Sequence, residues 1–265
     1  MSLDAEKAFD RVEWRYLFYV LNKFELSLDF VDWIKLLYAS PLASVSTNGI
    51  KSRLFPLHRG PRQGCPLSPL LFALAVEPLA IWLRSENGFE GITHHGQLQK
   101  ISFYADDLLL YVSNPASSLP IILDIIEKFG KYSGYKLNLG KSDYIPINPV
   151  ADLLPHSFPP FRKATNGLKY LGILVTRSFS ELFAKNYNPL LERCNLDLAR
   201  WSSLPLSLIG RVNLIKMSLL PKFLYLFQHI PVFIRKTFFS NLDQLIGFFL
   251  WGKTGTNCLN GSPAS

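Results

Sequence analysis

Cysteine is scarce: Cys65, Cys194 and Cys258 are the only three, far apart and with no Cys-x-x-Cys spacing. That excludes a disulfide framework and a thiolate zinc site, and leaves reduced thiols as the default. Histidine is nearly as sparse. His58, His94, His95, His156 and His229 show no metal-ligand spacing, and the His94-His95 pair sits beside glycine in what reads as a solvated turn. Long hydrophobic runs are missing too. The most apolar segment, residues 70–83, is interrupted by Glu77 and Pro78 and is too short to span a bilayer. No leader pattern opens the chain, and no internal repeat is seen. These absences lead us to expect a soluble intracellular protein with no membrane partner. Negative charge is also in short supply: the net charge is +8, which favours a polyanionic partner without specifying a fold.

The chain has 265 residues, 48% hydrophobic and 14% aromatic, enough for a large core with a smaller appendage. Its organising stretch is residues 101–112, Ile-Ser-Phe-Tyr-Ala-Asp-Asp-Leu-Leu-Leu-Tyr-Val. Two β-prone apolar runs flank one polar pair, as in a hairpin whose two-residue turn is Asp106-Asp107. Such turns prefer Asn-Gly or Asp-Gly, because positive φ is required. An Asp-Asp tip instead places two carboxylates side by side where the sheet ends. Solvated turns carry such pairs as well, so the remaining motifs decide the reading.

Residues 2–4 read as the end of a strand. Helical spacing follows in Trp14, Leu17, Leu21 and Phe24, and a second helix is expected at about residues 29–38. Residues 43–47 and 51–57 alternate like hairpin arms around Asn48-Gly49. A glycine- and proline-shaped loop from Gly60 leads to Ser68-Pro69, read as N-cap and first helical residue of an apolar, buried helix reaching about residue 84. Ile122, Ile125, Ile126 and Phe129 form a further stripe, followed by a loop from Gly134 to Lys141. A Pro-rich connection at residues 155–160 precedes a strand at residues 169–175. From about residue 178 the spacing is helical throughout, in three sets ending at Trp201, Leu219 and Phe249. The order of elements fits an α+β sheet with helices on one face.

Asp4 stands at a strand end before a helix, and Asp106 and Asp107 at a hairpin tip. Adjacent strands would bring the three carboxylates together. Charges about 4 Å apart repel by about 4 kcal/mol per pair at an effective dielectric near 20. Such a cluster takes up protons or binds cations, and hard oxygen ligands suit Mg²⁺.

Asp4…Phe9-Asp10, Gly60-x-x-Gln63-Gly64-x-x-x-Ser68-Pro69 and Tyr104-Ala105-Asp106-Asp107 resemble, in order, three successive motifs of reverse transcriptases. Gly134-Tyr135-Lys136…Lys141-Ser142 and Tyr170-Leu171-Gly172 resemble the next two. The stretch from Arg200-Trp201 through Arg211, Lys216 and Lys222 resembles the thumb of non-LTR retrotransposons of the long interspersed element type. The resemblance implies a right-hand polymerase: a palm over residues 1–178 and an all-helical thumb over 179–253; the tail over 254–265 lies outside it and, small and polar, is expected to be disordered. It implies that Asp4, Asp106 and Asp107 are catalytic and hold two Mg²⁺ or Mn²⁺ ions for nucleotidyl transfer onto a primer 3′-OH. Phe9 becomes a steric gate beneath the sugar, although it also suits helix packing. Gln63, Gly64 and Tyr104 would meet the nucleotide. Lys141 would protonate or shield the leaving pyrophosphate, unless it is a solvated loop lysine. Arg62, Arg211, Lys216 and Lys222 would contact nucleic acid; a solvated helix face is the alternative for the last three. Implied partners are an RNA template, a DNA primer and deoxynucleoside triphosphates, in the nucleus or cytoplasm.

The match begins at the first catalytic motif, with no fingers or endonuclease before it and no cysteine-rich segment after it. We therefore expect a palm and thumb fragment that does not work alone. The alternative is a nucleic-acid-binding remnant that has lost turnover.

Overall fold

The computed structural model describes residues 1–61, 64–148 and 160–252. Two compact units divide the chain, Met1–Leu168 and Lys169–Ser265. The expected tail at 254–265, and most of the expected Pro-rich connection, lie outside the described residues.

The first unit opens with β1 (Ser2–Leu3), a short helix α1 (Ala8–Arg11) and two longer ones, α2 (Trp14–Lys23) and α3 (Leu28–Leu37). Leu17, Val20 and Leu21 recur at helical spacing and are the residues α2 buries. Ser27 caps α3, its hydroxyl accepting from the Phe30 amide at 3.3 Å. Two short ribbons follow: β2 (Leu42–Ala43) pairs with β5 (Phe55–Pro56), and β3 (Ser46–Thr47) with β4 (Ile50–Lys51). Asn48 and Gly49 both take positive φ, 51° and 81°, as a type I′ turn requires.

Helix α4 (Ser68–Ser85) carries Pro69 in its first turn, with Leu67 rather than Ser68 at the N-cap. By length and composition alone it is apolar enough to cross a membrane, a test that buried core helices also pass. Leu71, Phe72, Leu79 and Leu83 are instead almost fully buried in the first core. It packs on α2 and, beyond a hairpin of β6 (Ile92–His94) and β7 (Gln97–Gln99), against α5 (Pro115–Ser133). Helix α5 stops at Gly134, whose φ of 80° gives the left-handed C-terminus.

The sheet holds five strands in the order β11-β10-β1-β9-β8, formed by β8 (Ile101–Tyr104), β9 (Asp107–Leu110), β10 (Asp143–Tyr144) and β11 (Arg162–Lys163) beside β1. All its pairings are antiparallel except β10 with β11. Leu3, Leu108 and Leu110 are buried while Ser2 and Leu109 are half-buried, the alternation of a sheet covered on one face. The class is α+β.

In the second unit the strand expected over 169–175 is two strands, β12 (Leu168–Tyr170) and β13 (Ile173–Val175). Leu171 and Gly172 have φ of 47° and 80°, so the chain reverses there in a tight turn. The Asn186 side chain grips β13 from the helix Glu181–Ser202, accepting from the Leu174 amide and donating to the Leu174 carbonyl, both at 2.9 Å. That grip ties the hairpin to the helices, and the two units meet at 168/169 rather than near residue 178. Helices Leu208–Leu214, Leu220–His229 and Lys236–Trp251 complete the unit, with a π-helical turn at Ile215–Leu219 interrupting one expected stripe. Tyr187, Cys194, Phe223 and Phe249 lie at its core.

Candidate active site

The β1–β9 pairing ends at Leu3↔Leu108, which leaves Asp4 and Asp107, the residues adjoining that pair, at the end of the sheet. Asp106 lies beside Asp107 in the turn. Here the hairpin differs from expectation: Tyr104 pairs with Asp107, so the two central residues are Ala105 and Asp106, and Asp107 begins β9. Ala105 takes a φ of 52° with no glycine to relieve it. Backbone strain of this kind is worth about 1–3 kcal/mol and gathers at functional sites.

Asp107 senses the other two carboxylates. Burial, then the charges of Asp106 and Asp4, push the Asp107 carboxyl above its ordinary range. Asp107 is half-buried, whereas Asp106 is exposed. Among the described residues no three Asp, Glu, His or Cys side chains stand close enough to hold one ion. The backbone thus brings the aspartates to one sheet end, while their side chains, which repel as like charges, do not close around a point. The donor set, hard carboxylate oxygens in a mutually repelling field, is one that suits a divalent ion such as Mg²⁺.

Asp4 is fixed through its backbone. Its amide donates to Ser142 Oγ at 3.1 Å, and that hydroxyl donates to Asn138 O at 2.8 Å. The Asn138 amide donates to Asp4 O at 2.9 Å. Ser142 is fully buried. Its positioning role was missed, because nothing local marks a serine whose partner is so distant in sequence. Lys141, next to it, is exposed at the end of a 3₁₀ turn and has no ion-pair partner among the described residues.

Phe9 is half-buried and stacks on Phe72, ring centres 4.1 Å apart and planes 19° from parallel. The loop from Gly60 presses on the same spot: a Cβ at Gly60 would meet Asp10 Cα and Phe9 O at 2.8 Å. Trp14 Nε1 donates to Gly60 O at 3.0 Å, and the Gly60 amide to Val12 O at 2.8 Å. Gly64 is exposed with φ of 82°, and Tyr104 is 64% exposed at the hairpin tip. Arg62 and Gln63 lie outside the described residues. Glu6 pairs with Arg11 at 2.9 Å and Lys136 at 3.2 Å, the local pairing its sequence position suggests.

In the second unit the expected basic residues part company. Arg211 donates through Nη1 to Phe249 O at 2.9 Å and Leu250 O at 3.3 Å, its guanidinium 5.7 Å from the Phe249 ring centre. It thereby caps the last helix, satisfying carbonyls that have no intrahelical partner. Lys216 is exposed on the π-helical turn. Lys222 lies 3.9 Å from the buried Asp197 and lines a groove of about 550 Å³ with Lys169 and Lys185. Tyr225 in the same groove donates to Leu171 O, holding the β12–β13 turn. Lys169 and Lys185 carry no sequence motif and went unnoticed.

The sheet thus ends on Asp4, Asp106 and Asp107, and the Gly60 loop packs against Phe9. A family profile described as "Reverse transcriptase (RNA-dependent DNA polymerase)" matches residues 1–175. The chain is 30% identical over 256 residues to the "Transposon TX1 uncharacterized 149 kDa protein" of Xenopus laevis, covering 95% of this chain and 19% of that protein. It is 28% identical over 229 residues to a "Retrovirus-related Pol polyprotein from type-1 retrotransposable element R2" of Nasonia vitripennis, covering 84% and 22%. It is 24% identical over 246 residues to the "RNA-directed DNA polymerase from mobile element jockey" of Drosophila funebris, covering 85% and 25%. The chain belongs to the reverse transcriptase family, in its non-LTR retrotransposon branch. It spans about a fifth of the length of the first of these relatives.

Proposed function

We propose that this chain is the polymerase segment of a retroelement protein, with the first unit as palm and the helical unit as thumb, extending a DNA primer on an RNA template. The observation that carries the reading is the register that leaves Asp4 and Asp107, next to Asp106, at one sheet end. Asp4 and Asp106 would hold two divalent ions, Mg²⁺ or Mn²⁺, and Asp107 would complete the acidic site. Such ions supply Lewis acidity and neutralise charge on the attacking and leaving oxygens. The chain's own residues do the rest. Ser142 holds the Asp4 backbone in place. Phe9, stacked on Phe72 and pressed by the Gly60 loop, presents a rigid edge where a sugar would lie, and so excludes a 2′-hydroxyl. Gln63, Gly64 and Tyr104 flank the incoming deoxynucleotide, and Lys141 faces its pyrophosphate. Arg62, Lys216 and the lysines of the second-unit groove meet phosphates, while Arg211 acts on the fold. Its place of work would be intracellular, in the nucleus or cytoplasm.

A second reading is a nucleic-acid-binding domain without turnover, a role that the lysine-lined groove of the second unit would serve without chemistry at the aspartates. One experiment separates the two. Residues 1–252 replace the matching segment of the Nasonia vitripennis relative, and primer extension on RNA is measured with Mg²⁺. The polymerase reading expects extension, lost at least about 100-fold in Asp106→Asn, since displacing reacting groups by even about 1 Å costs that much. A folded chimera that binds an RNA–DNA duplex but never extends it supports the second reading.

A further inference from the structure

An exposed phenylalanine alone means little, but Phe233 lines a pocket. Its ring is 89% exposed, while Val232 and Ile234 on either side pack against the core of the second unit. They anchor the connection between helices Leu220–His229 and Lys236–Trp251 and leave the ring facing outward. No other ring stacks on it among the described residues. The pocket, of about 460 Å³, forms where residues 233–235 meet the helices Glu181–Ser202 and Lys236–Trp251. That volume suits a small planar ligand. Phe183, also in its lining, is fixed by stacking on Tyr187 at 4.9 Å and by an edge-on contact with Phe238 at 5.6 Å.

The polar lining narrows the choice of ligand. Asn188 and Asn241 bring one carboxamide from each helix, both exposed and without a hydrogen-bond partner among the described residues. A carboxamide holds two donors and an acceptor in one plane, the pattern by which asparagine reads the edge of a nucleobase. Arg235 is the charged side chain of the lining and has no ion-pair partner among the described residues. Its guanidinium suits a phosphate. Among the described residues no carboxylate lines the pocket; Glu181 and Asp243, the nearest acidic residues in sequence, stand outside the lining. An apolar peptide side chain would fill the space but leave two amides and a guanidinium unanswered, at a cost. A base within a duplex is ruled out as well, because its faces are already covered by its neighbours.

We propose that this pocket takes one unpaired base of a single nucleic-acid strand, stacked on Phe233, its edge read by Asn188 and Asn241 and its phosphate met by Arg235. Family membership supplies the reason to expect nucleic acid. The site needs no turnover, so it stands or falls apart from the acidic cluster of the first unit.

Labelled single strands, one of RNA and one of DNA, are titrated with the full chain by fluorescence anisotropy, beside a wholly abasic DNA strand of equal length and an RNA–DNA duplex. The abasic strand keeps every phosphate and should bind at least about tenfold more weakly than its base-bearing counterpart. Phe233→Ala should weaken the base-bearing strands about tenfold, the loss of one stacking platform, and leave the abasic strand and the duplex unchanged. The melting temperature should not move, since the ring is exposed. Phe233→Tyr keeps a ring and should restore binding, and Asn241→Ala should weaken the base-bearing strands alone. The tighter of those two strands identifies the sugar that the site prefers. Equal binding of abasic and base-bearing strands, no loss in Phe233→Ala, an equal loss for the duplex, or no binding of either single strand by a chain that melts cooperatively would overturn the proposal.

Discussion

Asp4 is steered by a hydroxyl 138 residues away in sequence, that of Ser142. Ser142→Ala leaves the part-buried Asp4 N–H without its acceptor, a loss of about 1 kcal/mol, and frees the Asp4 backbone to drift. We expect the unfolding free energy from urea titration to fall by that amount and, in the chimeric polymerase, kcat to fall with KM little changed; an unchanged kcat would make Ser142 a purely structural residue. The Asp106-Asp107 pair was legible because two charges in an apolar run have no local reason to be there. Ser142 and Arg211 were not. A serine after a loop lysine, or an arginine on a helix, looks the same whether it meets solvent, phosphate or a distant carbonyl.

Among the elements, helices were easier to read than strands. Leu17, Leu21, Ile122 and Phe129 keep a helical period over many residues, and α4 announces itself by its apolar length. β1, β10 and β11 hold two residues each, too few for any alternation to register. The 169–175 stretch looks like one apolar strand until Leu171 takes a positive φ, which its sequence neighbours do not announce. Glycine marks the one loop whose purpose is clear. At Gly60 a positive φ of 82° coincides with backbone contact on Phe9 and Asp10 that no side chain fits. Gly60→Ala should destabilise the first unit by at least about 2 kcal/mol, whereas Gly64→Ala, with open space around its Cβ, should meet only the cost of its φ. Urea titrations of both variants decide this, and equal losses would mean that the Gly60 contact gives way.

At the scale of the molecule, a net charge of +8 said only that a polyanion is welcome, not where. Sequence likeness pointed to Arg211, Lys216 and Lys222. The structure turns Arg211 onto helix carbonyls and gathers Lys169, Lys185 and Lys222 in one groove instead. These alternatives differ in salt dependence, because each phosphate contact releases about 0.9 counterion from B-form DNA, whatever the sequence bound. Replacing the three groove lysines by glutamine should flatten the slope of log affinity against log salt for an RNA–DNA duplex by about two to three units. Lys222 is half exposed and 3.9 Å from the buried Asp197, which keeps Arg193 at 3.5 Å when Lys222 is replaced. Arg211→Gln should leave the slope unchanged and instead lower the melting temperature, since Phe249 and Leu250 lose their donor. The opposite result, a flattened slope in Arg211→Gln and none in the lysine variant, would return the duplex to the helix face that the sequence first suggested.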